Sequence, residues 1–310
     1  MKNRKITIIP FVSGFKGKYF LSLLLRLKKS ISNLNINCIV TYENPFNKGL
    51  INFANKEKIK VLNFFKDLEV LKRDTSNSDV GIAVGFGYKI KKDIYSLPKL
   101  GFFALHDSLL PKMRGFAPSF WSLILGKNET GLTLFEISDE IDAGDILYQE
   151  KIDIDEKDDI LTLHRKIFQK MEIILKKFLK DLENYKIKKY PQNHKKATYC
   201  MWRKEEDNNI RWERTTNEIW NLLRACKYPF WEAFTYYKGK KIYVVKAEKG
   251  KMILEGYYPG RFVKLADNGV YVSTGDGGVI IIQKIKINNS TIINANEIFK
   301  KLFDGFDGYI

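Results

Sequence analysis

Short apolar runs alternate with amphipathic stretches along the first half of the chain. Residues 5–10 read as a strand, and residues 18–29 as an amphipathic helix whose apolar content comes largely from Leu21, Leu24, Leu25 and Leu27. Cys38-Ile39-Val40-Thr41-Tyr42 makes a second strand, residues 50–57 a helix, Val61-Leu62-Asn63-Phe64 a short strand and residues 80–86 another. After Pro98, residues 100–105 form a further buried strand, residues 120–125 resume an apolar run, and residues 131–137 read as the next strand. A long helix with a Lys/Glu face spans 161–182. Strands alternating with helices predict a parallel sheet with right-handed crossovers, a Rossmann-like α/β domain. Beyond residue 200 the pattern changes. A helix over 218–225 precedes short strands over 233–237, 241–247, 260–266, 270–273 and 279–285, joined by glycine-containing turns, which predicts a small β-barrel. Residues 185–199, rich in Lys, Asn and Gln, read as a linker across the surface. The expected domains are 1–190 for the sheet, 191–204 for the linker and 205–310 for the barrel.

Composition narrows the class. The chain has 310 residues, 45% hydrophobic and 14% aromatic, enough for two cores and far from a disordered composition. No apolar run approaches the ~20 residues of a membrane span. The opening MKNRKITIIPFVSG has a basic tip and an apolar run like a signal peptide. That run is too brief and no small-residue cleavage site follows, so a first strand is expected instead. Cys38, Cys200 and Cys226 are odd in number, unclustered and without CxxC spacing. Neither a disulfide framework nor a metal site is expected, and the compartment is read as reducing and cytoplasmic. The net charge of +17 is spread over predicted solvated faces, so a nucleic-acid partner is not favoured by charge alone. No GxGxxG follows the first strand, which removes the usual dinucleotide reading.

Chemistry concentrates in one stretch, GFFALHDSLLPKMRGFAPSFWSLILGKNETGLTLFEISDEIDAGD, residues 101–145. His106 emerges where a predicted strand ends, and in an open parallel sheet that edge is where ligands sit. Pro111, Arg114-Gly115 and Pro118 then force a turn, and Asp142-Ala143-Gly144-Asp145 closes the segment as a tight acidic turn. Taken singly, such a histidine is more often a core or capping residue, and such an aspartate more often a turn former. The joint pattern reverses both. HxSLLPxxRGxAPxxW, then a Gly-Leu-Thr strand, then DAGD, resembles the folate-dependent formyltransferase family. The resemblance continues through WRKEEDNNIRW (Trp202 to Trp212) and LLRACKYPFWEAFTY (Leu222 to Tyr236), so it covers nearly the whole chain.

The resemblance implies an OB-like second domain and 10-formyltetrahydrofolate as formyl donor. It also implies a folate pocket built by Tyr88, Lys89 and Ile90, by Phe116, and by Ser138, Asp139, Glu140, Ile141 and Asp142. His106 would be the general acid/base and Asp142 its orienting carboxylate. The family supplies an oxyanion donor from an Asn two residues before the histidine; this chain has Ala104 there. A lost oxyanion donor typically costs about 100- to 1000-fold in rate, so a weakened family member is one expectation. Relatives that formylate methionyl-tRNA carry a basic insertion after the second strand. Here Thr41-Tyr42-Glu43-Asn44-Pro45-Phe46-Asn47 passes almost directly into a helix. The wording therefore looks more like sugar-nucleotide N-formyltransferases of surface-polysaccharide biosynthesis, with methionyl-tRNA formylation as the alternative. A basic surface would attract a nucleotide diphosphate or the polyglutamate tail of a folate. The oligomeric state is left open, a homodimer included.

Overall fold

The computed structural model describes residues 5–30, 33–288 and 291–307, so the basic tip at residues 1–4 lies outside the described residues. Two compact units divide the chain. The first comprises Met1–Pro118, Thr130–Asp153 and Arg165–Cys200; the second comprises Ser119–Glu129, Ile154–His164 and Met201–Ile310.

In chain order the elements begin with β1 (Ile6–Val12), α1 (Gly14–Ser30), β2 (Leu34–Ile36), β3 (Cys38–Thr41), α2 (Lys48–Lys56) and β4 (Lys60–Asn63). There follow α3 (Leu68–Ser76), β5 (Val80–Val84), α4 (Lys92–Tyr95), β6 (Phe102–His106), β7 (Arg114–Gly115) and α5 (Pro118–Ile124). Then come β8 (Glu129–Glu136), β9 (Ile146–Asp153), α6 (Ile160–Glu183) and β10 (Tyr199–Cys200). The main sheet has the order β4-β3-β1-β5-β6-β8-β9, with β2 on β1. Its pairings from β4 to β6 are parallel. β1 and β5 are buried on both faces apart from Thr7, which is why ITIIPFV and VGIAV read as continuous rather than alternating apolar runs. One face packs Ile9, Phe11, Cys38, Val40, Leu62, Leu71, Ala83, Ile90, Ile94 and Phe102 into a single cluster, with Ala104, Phe86 and Ile137 against it.

One pairing in the mostly parallel sheet runs the other way, at β8. That strand runs antiparallel to β6, with His106 opposite Thr133 and Phe103 opposite Glu136. The connection from β6 leaves the carboxyl edge of the sheet and re-enters at the same edge, so β8 has to run back along its neighbour.

The second unit contains α7 (Thr216–Ala225) and β11 (Phe234–Tyr237), β12 (Lys240–Lys249), β13 (Phe262–Ala266), β14 (Gly269–Ser273), β15 (Val279–Ile287) and β16 (Ile293–Asn294). These strands pair antiparallel in the order β11-β12-β15-β14-β13, with β16 on β15. The expected class, a Rossmann-like parallel sheet domain followed by a small OB-like β-barrel domain, matches a molecule whose main sheet is mostly parallel and whose second sheet is antiparallel. α7 starts where Thr215 and Glu218 satisfy each other's backbone N–H groups, a capping arrangement worth about 0.5–2 kcal/mol. Trp212 lies stacked on Phe306, 5.2 Å between ring centres, and both are buried. Among the described residues no helix is long and apolar enough to cross a membrane.

Candidate active site

His106 is the last residue of β6, 8% exposed, so its ring stands at the carboxyl edge of the sheet. Its Nε2 lies 2.8 Å from the Met113 carbonyl oxygen. A carbonyl only accepts, so Nε2 carries a proton. Nδ1 lies 3.5 Å from Asp142 Oδ2, close enough for charge to matter but long for a hydrogen bond. In the neutral ring Nδ1 is therefore the nitrogen without a proton.

Two turns create this geometry. Arg114 and Gly115 form β7, which pairs parallel with β10 (Tyr199, Cys200). A Cβ on Gly115 would stand 2.4 Å from the Cys200 carbonyl oxygen, and its φ is +100°, so only glycine fits. The Gly115 N–H donates to Asp142 Oδ2 at 2.7 Å. The DAGD turn is pressed equally hard. A Cβ on Gly144 would lie 1.8 Å from the Glu136 carbonyl oxygen, and the Glu136 N–H donates to the Asp145 carbonyl. Gly144→Ala is accordingly expected to cost about 1–3 kcal/mol or more, read as a lowered urea midpoint. An unchanged midpoint would mean that this turn is free to move.

The other expected residues fall into two groups. Ile90 is buried in the cluster that Ala104 and Ile137 pack against. Tyr95 Oη donates to Asp139 Oδ1 at 2.8 Å, tying α4 to the second segment. Tyr88 is exposed, edge-on to Tyr42 at 4.7 Å and Phe65 at 4.9 Å. Lys89, Asp139, Glu140 and Ile141 are exposed, and Ser138 Oγ donates to the Glu140 carbonyl. Phe116 is half-buried on the far side of Gly115, its N–H donating to the Cys200 carbonyl. Ala104 is half-buried between Ala83 and Phe135 on the neighbouring strands.

Two residues at this edge escaped the sequence reading. Lys16 in the first turn of α1 forms an ion pair with Asp107, both side chains largely buried. The carboxylate beside the histidine is thus already neutralised. Gln192 is 5% exposed although it lies in the stretch read as a surface linker, and its side-chain amide donates to the carbonyls of Asp142 and Gly144. Neither carried a signal: Lys16 is one of many lysines, and Gln192 sits in a run of polar residues. Burial pushes the Cys200 thiol up to about 11, so it stays protonated at neutral pH and is no nucleophile here.

Comparison with known proteins places this edge in context. The family model described as formyl transferase matches residues 11–179, and that of the formyl transferase C-terminal domain matches residues 203–302. A methionyl-tRNA formyltransferase of Sulfurihydrogenibium sp. is 33% identical over 243 residues, covering 78% of this chain and 76% of the relative. One from Caldicellulosiruptor saccharolyticus is 34% identical over 231 residues, 74% and 72% of the two chains. Among solved structures, HypX from Aquifex aeolicus in complex with tetrahydrofolic acid superposes with a TM-score of 0.67 at 18% identity, covering 94% of this chain and 46% of that one. The sugar 3N-formyltransferase WlaRD, in the presence of dTDP and 5-N-formyl-THF, gives 0.64 at 21% identity, covering 93% and 100%. With one model on the unit that holds His106 and Asp142 and the other on the antiparallel unit, this chain belongs to the formyl transferase family.

Proposed function

We propose that this chain transfers a formyl group from 10-formyltetrahydrofolate to the amine of a nucleotide-linked amino-deoxysugar. When bound, the folate supplies the formyl group. Tyr88, Lys89 and Ile90 with Ser138 to Asp142 would hold it, a reading supported by the family resemblance and by the exposed side chains of Tyr88 and Ile141, which a flat ligand could cover. His106 would move protons through Nδ1, and Asp142, 3.5 Å away, would stabilise the protonated ring.

The acceptor class rests on one observation, the closed connection between β3 and α2. Asn47 is fully buried; its Nδ2 donates to the Tyr42 carbonyl at 2.8 Å, and its Oδ1 accepts from the Gly14 N–H at 2.6 Å and from Ser13 Oγ at 2.9 Å. The turn is thereby locked to the start of α1, where relatives that act on tRNA would carry a basic loop. Two structural neighbours at 21% identity, one determined in the presence of dTDP and one in complex with dTDP-3-aminofucose, support this choice of acceptor. A second reading, methionyl-tRNA formylation, is favoured by the relatives at 33–34% identity.

One experiment separates them. Incubation with 10-formyltetrahydrofolate and a panel of UDP-, dTDP- and GDP-linked amino sugars should yield one product heavier by a formyl group. Binding of tRNA should be weak, weakening further by about 10³-fold or more between 50 and 200 mM salt. Tight tRNA binding at physiological salt, with every sugar nucleotide unmodified, would reverse the choice.

A further inference from the structure

We propose that Gln192 is a positioning residue for the reaction, fixing Asp142 against His106 through a hydrogen-bonded relay from Arg114. The inference rests on the roles given above to His106 and Asp142.

Asp142 has a φ of 52°, the left-handed region that costs a non-glycine residue about 1–2 kcal/mol, so its surroundings must hold it there. On the side-chain face one N–H does so, that of Gly115 to Oδ2 at 2.7 Å. On the backbone face the holder is Gln192. Its Nε2 donates to the Asp142 carbonyl at 2.8 Å and to the Gly144 carbonyl at 2.7 Å, bracketing the turn from both ends. Its Oε1 accepts from Arg114 Nη2 at 2.7 Å and Nε at 3.3 Å.

The amide cannot be turned over. A guanidinium only donates and a carbonyl only accepts, so Oε1 must face Arg114 and Nε2 must face the turn. Both protons and both lone pairs of the amide are then used. Arg114 is 2% exposed and also donates from Nη2 to His194 Nδ1 at 3.1 Å, so its own position is fixed. Because Arg114 and Gly115 are consecutive, the same short strand holds Asp142 twice, directly through Gly115 and indirectly through Gln192. A displacement of about 1 Å at a catalytic group can cost on the order of 100-fold in rate, which gives this support its functional weight.

Two variants test it. Gln192→Met keeps the volume and removes all four hydrogen bonds. Gln192→Glu keeps the acceptor for Arg114 and replaces only the two donors to the turn by an oxygen, so it releases Asp142 while retaining the buried partner of the arginine. Two readouts are taken on the full chain. The first is the 15N spectrum of the imidazole nitrogens, tractable because the chain has 3 histidines, with His106 assigned from His106→Asn. His106 signals should move in both variants and those of His164 should not. The second is kinetics with the accepted sugar nucleotide, where kcat should fall about 10- to 100-fold with KM within about 2-fold. Should Gln192→Met fail to fold, Gln192→Glu carries the same expectations alone. Unmoved His106 signals in Gln192→Glu, or a wild-type kcat, would overturn the proposal. Moved His106 signals in a protein inert towards every acceptor would support the positioning role and count against the proposed acceptor instead.

Discussion

His106→Asn should lower kcat by about 10²- to 10⁴-fold, some 3–5 kcal/mol of transition-state stabilisation, with little change in KM. The asparagine amide reaches the Nδ1 position but not Nε2, so the hydrogen bond that the ring makes to the Met113 carbonyl at 2.8 Å is lost too, and the unfolding control reads its effect on stability. What it lacks is an imidazole nitrogen able to take up and return a proton at the Nδ1 position, 3.5 Å from Asp142. The measurement is steady-state formylation of the accepted sugar nucleotide, with thermal unfolding as a control. A variant that turns over as fast as the parent would remove His106 from the chemistry. Lys16 and Asp107 do not offer a replacement, because each is the other's partner.

Ala104→Asn should act in the opposite direction, raising kcat about 10-fold or more while KM stays nearly constant, equivalent to at least ~1.4 kcal/mol. The donor that an Asn adds would act on charge that develops only in the transition state, so turnover and not binding is expected to respond. Ala104 is half-buried and pairs with Ala83 and Phe135 on the two adjacent strands. In the His106→Asn background the gain should vanish, since a hydrogen-bond donor cannot move the proton. An unchanged and already high kcat would mean that another donor holds the oxyanion. If parent and variant were both inert yet bound folate, the chain would be a silent binding protein of the family.

How much of this was legible beforehand can be judged from particular elements. Strands buried on both faces, such as Val80–Val84, announced themselves as unbroken apolar runs, and α6 announced itself by its length and charged face. The helix Leu68–Ser76 and the edge strand Ile146–Asp153 were not read, because half of each faces solvent and their polar residues dilute the period. The antiparallel course of β8 was also out of reach, since strand direction depends on where a connection re-enters the sheet and not on the residues of the strand.

The site divides along the same line. Covalent sequence determined which residues stand at the turns: His106 directly after an apolar run, the glycine of RG, the glycine of DAGD, and alanine at 104. These are local demands, because a strand end or a tight turn constrains its own residue types. Tertiary structure alone decided that the Met113 carbonyl takes one imidazole nitrogen, that Lys16 neutralises Asp107, and that Gln192, fifty residues on from Asp142, holds that aspartate in place. Such partners are chosen by burial: once a charge or an amide is enclosed it must be paired, and which chain segment supplies the pair depends on how the sheet brings distant segments together.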